Sequence, residues 1–167
     1  MVMDILCSMV MTADGYIARV DGRSTSSPFE WEGFEEEVQK YDNFVIGRKT
    51  FELAHESLAK IECKHRIVMS AEPGLKASKG FTIVKSPEEA IAHLRGKVDT
   101  LFLVGGNITN TSFLQRGLIT HLEIIVQPLI IGNGMPLFSP FELEQKLQLV
   151  SCDAIDGNRA KLSYKVI

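Results

Sequence analysis

Two stretches of this chain carry residues suited to holding an anion. In Asn43-Phe44-Val45-Ile46-Gly47-Arg48-Lys49-Thr50-Phe51-Glu52, a short apolar run meets a glycine, two cations and a hydroxyl. That order reads as a buried strand turning into a helix through Gly47, with Arg48, Lys49 and Thr50 in the helix's first turn. The N–H groups of a helix start, the Thr50 hydroxyl and the Arg48 fork are the donors that a phosphate needs. Cations at a helix N-terminus oppose the helix dipole, and that mismatch points to an anion. The second stretch is Leu101-Phe102-Leu103-Val104-Gly105-Gly106-Asn107. Its four apolar residues predict a central strand buried on both faces. Gly105 and Gly106 permit a close backbone approach, and the run from Asn107 through Arg116 reads as a short helix stopped by Gly117. The spacing is not G-x-G-x-x-G, so the usual dinucleotide fingerprint is absent. Taken singly, each stretch also fits a tight strand-to-helix turn with no ligand.

Other residues that could do chemistry are more scattered. Asp14-Gly15 ends the first apolar run and reads as a turn, with Asp14 a candidate substrate contact. Glu30, Glu32, Glu35, Glu36 and Glu37 load the first turns of a predicted helix, where negative charge suits the dipole. Cys7, Cys63 and Cys152 are odd in number and widely spaced, which fits a reducing compartment rather than a disulfide framework. Cys63-Lys64-His65 is too isolated to propose a metal site, and none is expected. With a formal charge of −3, the chain lacks the basic surface of a nucleic-acid binder, although a local basic pocket remains open. No signal peptide or membrane span is expected, because Asp4 and Asp14 break the N-terminal apolar run. The 167 residues are expected to form one cytoplasmic domain.

The elements that must position these residues follow from pattern. Val2 to Met11 predicts a buried first strand, and residues 21–28 a polar surface loop that reads as a connector or as a flap over a pocket. Phe29 to Tyr41 predicts a helix with Phe34, Val38 and Tyr41 on one face. A strand over residues 43–47 is followed by a helix to about His55. Strands are expected at 65–69 and 81–84. Ser86, Pro87 and Glu89 form an N-cap, first-position proline and capping box for a helix ending at Gly96. After Gly117, residues 121–127 predict a strand. Residues 128–138 form a greasy, glycine-rich link that reads as a pocket lining or a subunit contact. Asp156-Gly157-Asn158 predicts a hairpin between strands over 147–155 and 159–167. The sum is an α/β domain with a mixed, mostly parallel sheet, finished by an antiparallel hairpin.

In order and spacing these pieces resemble the dihydrofolate reductase fold and its relative, the reductase domain of riboflavin biosynthesis. The resemblance runs over most of the chain. It is carried by Asp14-Gly15-Tyr16-Ile17-Ala18, by Val45 through Glu52, by Ile67-Val68-Met69-Ser70 and by Val104-Gly105-Gly106. Gly117-Leu118-Ile119 and the segment from Pro128 to Phe138 are similar to the riboflavin branch. Ala54-His55-Glu56 departs from that branch, which usually has Asp-Asp-Pro there.

The resemblance implies a three-layer fold and NADPH as hydride donor. It places Arg48 and Ser70 at the 2′-phosphate, Lys49 and Thr50 at the phosphates, and Gly105, Gly106, Asn107 and Ile108 along the pyrophosphate. Gly47 lies in the same cradle, and Ile17 and Ala18 would touch the nicotinamide. For the substrate it implies an acidic residue on the first helix. Trp31 falls near that position among Glu30, Glu32 and Glu35, and Glu30 is carried forward with Asp14. No catalytic proton donor is assigned. The implied activity is reduction of a pyrimidine- or pterin-like small molecule, of the 5-amino-6-(5-phosphoribosylamino)uracil reductase type. Dihydrofolate reduction and NADP binding without catalysis are the alternatives, and a homodimer through the C-terminal strands is expected.

Overall fold

The computed structural model describes residues 2–25 and 28–167, except for the side chains of residues 28–32. In chain order the elements are β1 (Asp4–Thr12), β2 (Tyr16–Ala18), α1 (Pro28–Tyr41), β3 (Asn43–Gly47), α2 (Arg48–Leu58), β4 (His65–Met69) and β5 (Phe81–Val84). They continue with α3 (Pro87–Leu94), β6 (Thr100–Leu103), α4 (Asn107–Leu114), β7 (His121–Gln127), β8 (Met135–Pro136), β9 (Leu147–Ile155) and β10 (Arg159–Val166). Eight strands form one sheet in the order β5-β4-β3-β6-β1-β7-β10-β9. The six from β5 to β7 are parallel; β10 is antiparallel to β7 and to β9. The expected mixed sheet with a closing hairpin is therefore present, and the hairpin turns at Asp156 and Gly157 with φ of 47° and 72°. Among the described residues, no helix is long and apolar enough to cross a membrane.

Alternation along the strands divides the core into two layers. Leu6, Phe44, Ile46, Val68 and Phe102 point to one face, where they meet Val38 of α1 and Phe51 and Leu58 of α2. Phe34 and Tyr41 of α1 pack their rings on Phe102 at 6.2 and 5.1 Å, as the helical spacing predicts. Ile5, Cys7, Val45, Ile67, Leu101 and Leu103 point the other way, against Ala90 and Leu94 of α3 and Phe113 of α4. The central strands are mostly apolar because both faces are covered, giving three layers.

Local differences from the sequence reading have physical causes. Helix α2 runs on to Leu58 because that side chain joins Phe51 in the core. Residues 16–18 and 135–136, expected as turn and link, pair as the two-stranded ribbon of β2 and β8. Gly134 permits this approach, since a Cβ there would strike the Ala18 carbonyl. Ser86 caps α3 by accepting the Glu89 N–H at 3.2 Å. The Glu89 carboxylate reaches the Lys85 N–H at 2.8 Å instead of closing back on Ser86.

The seam between β3 and β6 has a single register pair, Val45 with Leu103. Below it, the fully buried Asn43 side chain takes over from the backbone ladder. Its Oδ1 accepts the Phe102 N–H at 3.0 Å, and its Nδ2 donates to the Thr100 and Tyr41 carbonyls at 2.8 and 2.7 Å. Removing that side chain takes a partner from three backbone groups, of which the Phe102 N–H is buried. Asn43→Ala is therefore expected to lower unfolding stability by about 2–4 kcal/mol, as read from urea denaturation curves.

Candidate functional site

Above Val45 the same seam runs on into both strand-to-helix turns. The Val104 N–H donates to the Val45 carbonyl at 3.0 Å, and the Gly47 N–H donates to the Gly105 carbonyl at 2.7 Å. Gly47 lies directly against Thr109 of α4, whose hydroxyl occupies the place a Cβ would take. Gly105 has φ of +94°, and a side chain there would also press on the Met9 thioether at 3.0 Å. The Gly105–Gly106 peptide bond is cis. A Cβ on Gly106 would sit 3.9 Å from the Thr50 hydroxyl and 3.9 Å from the Met135 sulfur, so the two helix starts lie side by side.

Neither helix start is capped. Gly47 is the N-cap of α2 and Gly106 that of α4; neither makes a side-chain cap hydrogen bond, and neither first turn holds an acidic residue. Helix α3, away from these turns, has the Ser86 cap and Glu88 and Glu89 in its first turn. Two open N-termini with their dipoles converging favour an anion bearing more than one phosphate.

The expected site residues divide into three groups. Gly47, Thr50, Gly105 and Gly106 come together, although the Gly47 amide is engaged by Gly105 and is unavailable to a ligand. Lys49 is exposed, as is Ile108 at 65% in the first turn of α4, while the Asn107 carbonyl accepts the Thr111 hydroxyl at 2.6 Å. Arg48 and Ser70 meet through Glu72. Arg48 Nη2 pairs with the Glu72 carboxylate at 3.2 Å and Nη1 with Glu52 at 2.9 Å, while the Glu72 N–H donates to Ser70 Oγ at 3.2 Å. Ile17 and Ala18 are buried in β2 beside the link, with Ala18 opposite Met135.

Asp14 has a role that its turn position did not reveal. Its Oδ1 accepts the Thr12 hydroxyl at 2.6 Å, and its Oδ2 accepts the N–H groups of Ile131 and Gly132 at 3.2 and 2.8 Å. The Thr12 hydroxyl, with help from those two amides, holds the Asp14 carboxyl below its usual range. Oδ2 thus fastens the link while Oδ1 is held by Thr12, so Asp14 positions that segment. The side chains of Glu30, Trp31 and Glu32 lie outside the described residues, as do residues 26–27 of the 21–28 loop.

Sequence reasoning missed the buried polar face of α4. Thr109 packs under Gly47, Asn110 Nδ2 donates to the Leu137 carbonyl at 3.3 Å, and Thr111 Oγ1 accepts the Ser139 N–H at 2.8 Å. The only available signal was a helix of eight residues with small polar side chains where an apolar stripe would be expected. Everything gathered here lies at the carboxyl ends of the parallel strands, where ligands of α/β sheets bind. A shallow depression lined by Asp4, Tyr41, Thr100 and His121 sits at the opposite edge, where β1, β6 and β7 begin.

This architecture is the dihydrofolate reductase-like fold. A dihydrofolate reductase from Enterococcus faecalis complexed with NADP(H) superposes with a TM-score of 0.76 at 18% identity, over 98% of this chain and 96% of that one. Residues 4–160 match the RibD C-terminal domain family, and the chain belongs to it. A putative riboflavin biosynthesis protein from Shewanella sp. PV-4 superposes with a TM-score of 0.79 at 22% identity, over 99% of both chains. A diaminohydroxyphosphoribosylaminopyrimidine deaminase/5-amino-6-(5-phosphoribosylamino)uracil reductase from Thermotoga maritima gives 0.76 at 14% identity. It is matched over 99% of this chain and 57% of that one. In sequence, the uncharacterized protein YwjB of Bacillus subtilis (strain 168) is 27% identical over 93% of this chain and 94% of its own. Of these neighbours, the Thermotoga maritima protein is named as a reductase and the Enterococcus faecalis enzyme is described in complex with NADP(H).

The glycine cradle makes one expectation sharp. Gly47→Ala forces its Cβ into the Thr109 hydroxyl and is expected to destabilise the fold by about 1–3 kcal/mol. Adding Thr109→Ala removes the obstructing oxygen, so the double variant should recover more than half of that loss, a coupling that a double-mutant cycle measures directly.

Proposed function

We propose that this chain is an NADPH-dependent reductase of the 5-amino-6-(5-phosphoribosylamino)uracil reductase type. The observation that carries the reading is the pair of uncapped, glycine-led helix starts joined by the Gly47–Gly105 hydrogen bond. Membership of the RibD C-terminal domain family, and the activity for which the Thermotoga maritima neighbour is named, supply the substrate class. In this reading the first-turn amides of α2 and α4 and the Thr50 hydroxyl receive the coenzyme's phosphates. Arg48 faces the 2′-phosphate, and Ser70 supports the Arg48 side through Glu72. When bound, the nicotinamide supplies a hydride for a C=N bond or opened ribose of the pyrimidine compound. The chain's part is to hold the two ligands in order and to keep water away. The link over residues 128–138, fixed by Asp14 and Asn110, forms the wall beside β2.

The reading predicts tighter binding of NADPH than of NADH. Arg48→Ala should lose about 10- to 100-fold in NADPH affinity with little change for NADH, as followed by titration of coenzyme fluorescence. Equal affinities in the wild type would count against the Arg48 assignment. Oxidation of NADPH with the ribosylaminopyrimidine phosphate but not with dihydrofolate would identify the branch.

A pair of chains is part of the same proposal. Strand β9 is a long sheet edge that exposes Leu147, Leu149 and Val150. Natural edges of this kind are covered or charged. Sedimentation analysis is expected to give a dimer, and Leu149→Lys with Val150→Lys to give a monomer.

A further inference from the structure

We propose that Glu72 is a specificity-determining residue that competes with the coenzyme's 2′-phosphate for Arg48 and narrows the preference for NADPH over NADH; the inference rests on the reading that Arg48 faces that phosphate. An arginine held ready for phosphate would present an open fork. Here both sides of the guanidinium are engaged, Nη1 by Glu52 at 2.9 Å and Nη2 by Glu72 at 3.2 Å.

The two carboxylates differ in origin. Glu52 lies one turn along Arg48's own helix, the ordinary i,i+4 spacing. Glu72 comes from a separate element, the loop beyond β4. Its main chain is pinned where β4 ends, by its N–H donating to Ser70 Oγ, and Ser70 is itself tied to β5 through its N–H to the Val84 carbonyl at 2.9 Å. The anchor is thus buried, while the Glu72 side chain is 63% exposed and the Arg48 side chain 32%. Only the outer part of Glu72 has to swing for the fork to open.

The chemistry distinguishes the two coenzymes. A ribose with a free 2′-hydroxyl can donate a hydrogen bond to a carboxylate, so Glu72 is compatible with it. A 2′-phosphate has no such donor to spare and carries the same sign of charge as Glu72. It must displace Glu72 from Arg48 before the guanidinium can grip it in the two-pronged way.

The test uses two fragments that differ only in the phosphate in question, adenosine 2′,5′-bisphosphate and adenosine 5′-phosphate, titrated calorimetrically against the intact chain. Glu72→Gln keeps the side-chain shape and the Ser70 contact but removes the charge. It is expected to tighten the bisphosphate by about five- to tenfold and to leave the monophosphate unchanged or weaker. On an Arg48→Ala background the same substitution should have no effect, because the competition passes through that guanidinium. If Arg48→Ala lowers the bisphosphate-to-monophosphate affinity ratio while Glu72→Gln leaves it unmoved, the competition is refuted and the coenzyme reading survives. If Glu72→Gln tightens the bisphosphate equally without Arg48, long-range charge is responsible and the competition is again refuted. If neither fragment binds, or Arg48→Ala leaves the ratio untouched, the coenzyme reading falls and takes this inference with it.

Discussion

The approach of Gly47 to Gly105 is the constraint on which the site depends. A parallel ladder normally ends where its strands end. Here the β3–β6 ladder continues one step further, through the Gly47 N–H and the Gly105 carbonyl, into the turns themselves. That step is possible only if neither turn carries a side chain at the contact. The Thr109 hydroxyl fills the space beside Gly47, and the Met9 thioether and Asn110 amide fill the space beside Gly105. Because the turns are joined, the helices that leave them start next to one another on opposite faces of the sheet. Two open helix N-termini then share one edge, which neither turn could form alone.

The other wall of the edge is built by polar tethers as well as by apolar packing. The 128–138 link leaves β7 and returns across the mouth of the sheet, where its β8 residues pair with β2. Asp14 holds it at Ile131 and Gly132, Asn110 holds it at Leu137, and Thr111 holds the Ser139 amide just beyond. Its greasiness in the sequence therefore has two explanations. Leu137 reaches the core, whereas Ile130 stays exposed. Hydrogen bonds fix where the segment runs, and the apolar side chains then line the space that is left.

Much of this was legible in the sequence, for a reason that also marks its limit. Strands β3 and β6, the glycines that end them and the helices that follow are local features, written in consecutive residues. So was the covered double-sided sheet, because Val45, Phe102 and Leu103 sit in runs with no polar break. Contacts across long sequence separations were not legible. Nothing near Asp14 shows that residues 131 and 132 will return to it. Nothing near Arg48 shows that Glu72 will reach it from the end of a different strand. The burial of Thr109, Asn110 and Thr111 runs against their polarity, and it becomes intelligible only once Gly47 and the link are placed on either side of them.

Arg48 shows how a local inference can have an answer the sequence does not supply. Cations in the first turn of α2 oppose its dipole, and an anion nearby relieves the conflict. Without a ligand, the anions that do so are the protein's own, Glu52 and Glu72. Both are largely solvated, and exposed ion pairs of this kind contribute only about 0–1 kcal/mol each. They satisfy the guanidinium without locking it. On the proposed reading a polyphosphate ligand would offer more than either carboxylate, since it would engage the amides of two helix starts at the same time as the arginine. Weak internal pairing beside preorganised main-chain donors thus keeps the cation in place without committing it to either carboxylate.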